Sequence, residues 1–221
     1  MIEKTVTMYR KAEMGFVNAL SGATEKVIEE THFYDTGYMQ TQISRIQKEL
    51  KRIEGEVKTS IEIQDNSDYG KKHRSELMAQ REQLLYRMVF LASNSFKNLG
   101  DCVKMADGHN FVFMECIQGL QEYHAGHKDK AFELMEAYFR EHGSVEGHFL
   151  ANKVFGMLLS GKGLYKKAVP FLTYALQFIP DDMEALEALQ SCYRETGETR
   201  CREVVGEVLA VLGDTEVYVY I

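Results

Sequence analysis

Six apolar side chains, Met39, Ile43, Ile46, Leu50, Ile53 and Val57, follow one another at spacings of 4-3-4-3-4. An α-helix turns once in 3.6 residues, so a helix gathers that spacing onto one side. A seam kept for nearly three heptads then demands a second helix against it. Lys48, Glu49, Lys51, Arg52, Glu54 and Glu56 fill the intervening positions and describe a solvated opposite face. Gly55 falls inside the pattern and costs some helix stability. Asp65-Asn66-Ser67-Asp68-Tyr69-Gly70 is a run of turn formers, after which Leu77, Leu84, Met88, Leu91 and Leu99 mark a second stripe. Two long stripes joined by a short turn are antiparallel neighbours, so residues 38–104 read as a helical hairpin. Residues 1–30 carry loosely helical apolar positions, weakened at Gly15 and Ser21-Gly22, and are expected to pack alongside it. His32-Phe33-Tyr34-Asp35-Thr36-Gly37 reads as a connection.

Composition agrees with an all-helical chain. The two prolines both lie after residue 169, Trp is absent, and Met, Leu, Glu, Gln and Lys are frequent. Apolar residues at 45% supply a core, and charged residues at 27% do not suggest disorder. No run of 18 apolar residues is present, so no transmembrane helix is expected, and Met1 to Lys11 has no signal-peptide core. Cys102, Cys116, Cys192 and Cys201 lack CxxC spacing and read as reduced thiols, which places the chain in a cytoplasm. Charge is uneven. Residues 1–106 hold 16 Lys and Arg against 15 Asp and Glu, a net of +1; residues 107–221 hold 10 against 18, a net of −8. The acidic half would repel phosphate, so nucleic acid is not an expected partner and a neutral or basic protein is. The charge shift coincides with Asp107-Gly108, which sets the expected domains at 1–106 and 111–213, with 214–221 as a tail.

An internal period governs the second half. Residues 149–182 make a 34-residue unit with Phe155 and Gly156 at positions 7 and 8, Leu159 at 11, Ala168 at 20, Leu172 at 24, Ala175 at 27 and Pro180 at 32. The unit from Met183 has Leu186, Leu189, Tyr193 and Gly197 at positions 4, 7, 11 and 15, but Arg202 at 20 and Gly206 at 24. The unit of about 112–148 has Gly119, Gly126 and Ala131 at 8, 15 and 20, with the bulky Tyr138 at 27 and a slightly longer span. The pattern resembles the tetratricopeptide repeat over roughly half of the chain. That resemblance implies a short α-solenoid of about three antiparallel helix pairs, with small residues where the backbones approach. Alternation of Gly and Ala on facing stripes independently allows close helix packing.

Catalytic and metal chemistry find little purchase in the residues. His124 and His127 fall on the expected inter-helix turn, and Glu29-Glu30-Thr31-His32 is a single Glu-x-x-His where a di-iron bundle needs two. Gly-x-Ser-x-Gly, His-Glu-x-x-His and Cys-His clusters are lacking, and Ser160-Gly161-Lys162-Gly163 sits on a repeat turn rather than before a phosphate-binding helix. No cofactor or metal and no enzyme activity is expected. In the resembled family the first helices line a concave groove through positions 2, 5, 9 and 12. Carried over, these are Phe113, Cys116, Leu120 and Tyr123; Leu150, Lys153, Met157 and Ser160; and Glu184, Glu187, Ser191 and Arg194. The implied function is an adaptor holding a partner peptide or helix in that groove. The alternative is a self-associating scaffold or secretion-type chaperone, since the seam at 39–57 can also pair between chains. Val217, Val219 and Ile221 alternate with Glu216, Tyr218 and Tyr220, which suggests a tail docked in an extended form.

Overall fold

The computed structural model describes residues 36–63, 65–143, 145 and 148–213. The readings of 1–30, of 32–35 and of the 214–221 tail lie outside the described residues. Every regular element among the described residues is helical, so the fold is all-α. The elements are α1 (Thr36–Glu62), α2 (Asp68–Ala92), a 3-10 turn (Phe96–Asn98), α3 (Leu99–Met105), α4 (Met114–His124), α5 (Lys128–His142), α6 (Phe149–Gly161), α7 (Tyr165–Leu176), α8 (Met183–Thr196) and α9 (Thr199–Gly213). They divide into two compact units, Asp35–Met114 and the residues from Glu115 onward.

The first unit is built on the α1–α2 hairpin. Ile46, Leu50 and Ile53 of the seam are buried, with Ile53 fully closed to solvent. Thr36 and Gly37, read from sequence as part of a connection, are already helical. The turn ends at Ser67, whose hydroxyl accepts the Gly70 N–H at 2.9 Å and caps α2. On α2 the buried side chains are Leu77, Leu85, Met88, Val89 and Ala92, with Gly70 buried at its start. Leu84 and Leu91 are only half-buried, and Leu99 belongs to α3. The core stripe is therefore displaced from Leu84 to Leu85: a 3.6-residue helix slides off a strict heptad, and both leucines fit the spacing until the partner helix selects one. Beyond α3, Phe111 packs edge-on against Tyr86 (ring centroids 5.4 Å apart), and Phe113 meets Phe90 (5.1 Å). These contacts carry the first unit on to Met114.

The second unit consists of three successive helix pairs, α4 with α5, α6 with α7 and α8 with α9. Helix α6 packs on α7, and α8 packs on α6, α7 and α9. Three turns close in one manner. The Gly163 N–H reaches Ser160 O at 2.9 Å while Leu164 N–H reaches Leu159 O at 2.9 Å. Gly126 with His127, and Gly197 with Glu198, repeat both bonds onto Tyr123, Glu122, Arg194 and Tyr193. This is a Schellman closure, which needs a left-handed residue, and the glycines stand at φ +87°, +75° and +77° in chain order.

Close approach inside each pair rests on one glycine against one larger side chain. A Cβ added at Gly119 would collide with the Met135 side chain, and one at Gly156 would stand 2.8 Å from Leu172 Cγ and 3.2 Å from the Leu172 backbone nitrogen. In the third pair the roles reverse. Gln190 occupies the place of Gly119 and Gly156, and Gly206 faces it, with an added Cβ 2.8 Å from Gln190 Nε2. The Gly206 that departs from the repeat pattern in sequence is thus the steric complement of Gln190. Across α5, α6 and α7 the rings of Phe139, Phe155 and Phe171 interlock: Phe139 stacks on Phe155 at 4.3 Å, and Phe171 meets both edge-on at 5.3 and 4.9 Å.

Two glycines in helix interiors should respond oppositely to alanine. At Gly156 the new methyl meets backbone as well as side chain, so Gly156→Ala should destabilise by about 1–3 kcal/mol of overpacking, partly offset by alanine's better helix propensity. At Gly55 nothing lies within 4 Å of the added Cβ, so Gly55→Ala should stabilise by about 0.5–1 kcal/mol. Urea unfolding of both variants measures the difference in sign.

Candidate functional site

The residues singled out from sequence lie on α4, α6 and α8, except Phe113, which stands just before α4, and the structure sorts them by exposure. Phe113, Leu120 and Leu150 are closed to solvent at 1%, 0% and 4% exposure. They are core residues here and do not line an open groove; Phe113 is spent on Phe90 within the first unit. Cys116 is also buried. Tyr123, Met157, Ser160 and Ser191 are half-buried, and Glu184, Glu187 and Arg194 are exposed. A large apolar side chain at the second position of a helix turns inward whenever a neighbouring element covers it, and spacing alone does not show that neighbour.

Lys153 is the organising charge. Its side chain is only 9% exposed, and its ammonium lies 2.8 Å from Asp182 Oδ2 and 2.7 Å from Glu184 Oε2. The Phe149 ring flanks it, with Nζ 5.8 Å from the ring centroid. Burial alone would lower the Lys153 pKa; the hydrogen bonds to Asp182 and Glu184 outweigh it and leave the pKa raised. Asp182 serves two helices at once. One carboxylate oxygen holds Lys153 of α6, and the other accepts the Ala185 N–H at 2.9 Å as the N-cap of α8. The spacing did not mark Asp182 as the partner of Lys153: a lysine and an acid 29 residues apart are too common to single out.

Around this pair the three helices converge. The Tyr123 hydroxyl of α4 approaches Met157 Sδ of α6 at 3.9 Å. Burial raises the Tyr123 pKa, Glu184 pushes it the same way, and Lys153 opposes. Tyr123 therefore stays a neutral phenol close to both charges. Further along, Ser160 of α6 meets Cys192 of α8 at 3.4 Å, and Arg194 binds Ser191 (3.0 Å) and Glu195 (3.1 Å). The face thus grades from an aromatic–thioether patch at Tyr123 and Met157 to exposed carboxylates at Glu184 and Glu187.

The buried cysteines are not activated. Burial pushes the Cys102 thiol up to about 11 and raises Cys116 and Cys192 as well, so these sulfurs stay protonated and poorly nucleophilic. Among the described residues no group of three or more His, Cys, Asp or Glu could hold a metal ion, and no helix is long and apolar enough to cross a membrane. His127 and Lys130 bind Glu122 at the α4–α5 turn, at 2.8 and 2.6 Å, on the protein surface.

The loop before α6 is held by His148, which is fully buried. Its Nδ1 accepts the Ala151 N–H at 3.1 Å, so the neutral ring acts as the N-cap of α6. Asn152 donates to Val145 O and His148 O at 2.9 and 2.6 Å. Burial pushes the His148 pKa down to about 3 from an ordinary 6.5. No family model, curated protein or solved structure matches this chain.

Two predictions test these supports. Asp182→Ala removes both a cap and half of the ion pair and should cost about 3–5 kcal/mol. Asp182→Asn keeps the cap and should recover about 1 kcal/mol of that. Lys153→Met, which removes the buried charge itself, should be milder than either; chemical denaturation gives the order. For His148, the unfolded imidazole takes up a proton below pH 6.5 that the folded one refuses until about pH 3. Its contribution to stability is complete above pH 6.5 and falls with acidification by up to about 1.4 kcal/mol per pH unit. His148→Asn, which keeps a capping acceptor, should flatten the difference in urea midpoint between pH 7 and pH 5.

Proposed function

We propose that this chain is a non-catalytic protein-interaction scaffold whose C-terminal helix pairs form a tetratricopeptide-like repeat. The repeat binds a peptide or helix of a neutral or basic partner on the face of α4, α6 and α8. The observation that carries the reading is the convergence of Tyr123, Met157 and Glu184 from three separate helices around one buried lysine. Fixed aromatic and thioether surface beside exposed carboxylate is the chemistry that recognises an apolar side chain flanked by a cation. The exposed carboxylates of Glu184 and Glu187 lie in the acidic half of the chain and favour a basic partner through orientation and encounter rate. Lys153 is already satisfied by two carboxylates, so it shapes the face without offering a bond to the ligand. Three turns of one geometry, each with a left-handed glycine, support the repeat reading. Cys102, Cys116 and Cys192, none of them in a disulfide, suit a reducing cytoplasm.

The contact residues under this reading are Tyr123, Met157, Glu184, Glu187, Ser191 and Arg194. Selection from a displayed random-peptide library against the purified chain should enrich sequences that pair apolar with basic residues. Met157→Glu and Glu187→Lys should each weaken the selected peptides at least about tenfold in isothermal titration, with an unchanged melting temperature. Peptides that bind both variants as tightly as the parent chain would place recognition elsewhere and sink the proposal.

A further inference from the structure

The loop end of the α1–α2 hairpin leaves large apolar side chains in water. Ile61, Ile63, Tyr69 and Met78 are 61%, 68%, 77% and 49% exposed. Val57, Ile61 and Met78 line an open groove of about 470 Å³, rimmed by Glu54, Lys58, Glu62 and Arg81. Single exposed apolar residues are ordinary, but four gathered at one end of a two-helix element mark a contact surface.

The seam shows that these side chains are not a misplaced part of the hairpin core. After Val57 the 4-3 spacing puts the next inward position at 60. Ser60 stands there, and its hydroxyl accepts a hydrogen bond from Arg74 Nη1 of α2 at 2.9 Å. Arg74 also donates to Asp65 O at 2.6 Å, so the hairpin closes its own end with polar bonds. The isoleucine comes one residue later, about 100° around the helix, where it faces solvent. The hairpin is complete without Ile61 or Met78.

Charge selects the occupant. The rim carries two acids and two bases, paired as Arg81 with Glu54 (3.5 Å) and Lys58 with Glu62 (3.7 Å), so its net charge is zero. The unit Asp35–Met114 holds 12 Lys and Arg against 11 Asp and Glu, a net of +1, within a chain of net −7. A strongly basic or acidic partner finds no complementary field here. A second copy meets no repulsion: the rim is neutral, and the unit that carries it holds none of the acidic surplus of this chain.

We propose that the loop end of the hairpin docks on the same surface of a second copy of this chain, with Val57, Ile61 and Met78 of each copy covering those of the other. Light scattering coupled to size-exclusion chromatography of the full chain, from micromolar to near-millimolar concentration, should show the mass rising from 25.4 kDa towards twice that value. Ile61→Lys and Met78→Lys alter exposed positions, so circular dichroism should be unchanged. Each should weaken dimerisation at least about tenfold. Met157→Glu, on the proposed peptide-binding face, should leave the mass unchanged, which separates this interface from that one. A 25.4 kDa species at every concentration overturns the proposal and leaves the groove to a different protein. A dimer whose dissociation constant is indifferent to both lysine substitutions overturns it as well.

Discussion

Two helices can run close together only if one of them gives up side-chain volume where they cross, and the second unit meets that condition with one glycine per pair. Gly119 faces Met135, Gly156 faces Leu172, and Gly206 faces Gln190. Other contacts depend on the spacing this sets. The Phe139, Phe155 and Phe171 rings pack with centroids 4.3 to 5.3 Å apart because α5, α6 and α7 are near enough to interlock them. Lys153 reaches Asp182 because α6 and the start of α8 are held at a fixed separation. Packed interiors do not deform gradually, so a methyl at Gly156 would have to displace Leu172 and, with it, the geometry of the face beyond.

Buried polar groups then decide where the pairs begin. His148 and Asp182 are the caps of α6 and α8; His148 is fully buried, and Asp182 is half-buried against Lys153. A cap withdrawn from water must be satisfied, so the neutral imidazole and the half-buried, lysine-bound carboxylate each fix a helix start and a neighbour together. This coupling of capping with tertiary contact places Tyr123, Met157 and Glu184 on one face, on which the functional proposal rests.

The hairpin of the first unit closes by a different device. Among the glycines whose surroundings are described it has no crossing of this kind: Gly55, on the outer face of α1, meets nothing within 4 Å. Its seam is filled by β-branched and long aliphatic side chains, and its loop end is closed by Arg74 bonding to Ser60 and Asp65. With the polar bonds made and the seam complete, the remaining apolar side chains at that end are surplus to the hairpin itself, which is why they carry an inference about a second copy.

Periodicity in the sequence by itself determined that the chain is helical, where its hairpin turns, and that glycines stand at the three later turns, because 3.6-residue spacing and left-handed backbone are local properties of a few neighbouring residues. It also marked Gly156 and Ala168 as points of close packing. It could not choose Leu84 or Leu85 for the core of α2, since both satisfy the spacing and the partner helix decides. It could not tell that Phe113, Leu120 and Leu150 are interior while Met157 stays half-open, since a helix face is apolar for either reason. Nor could it join Lys153 to Asp182 or explain Gly206 by Gln190. Burial, ion pairing and steric complementarity across residues far apart in sequence belong to the assembled fold, and only the tertiary structure decided them.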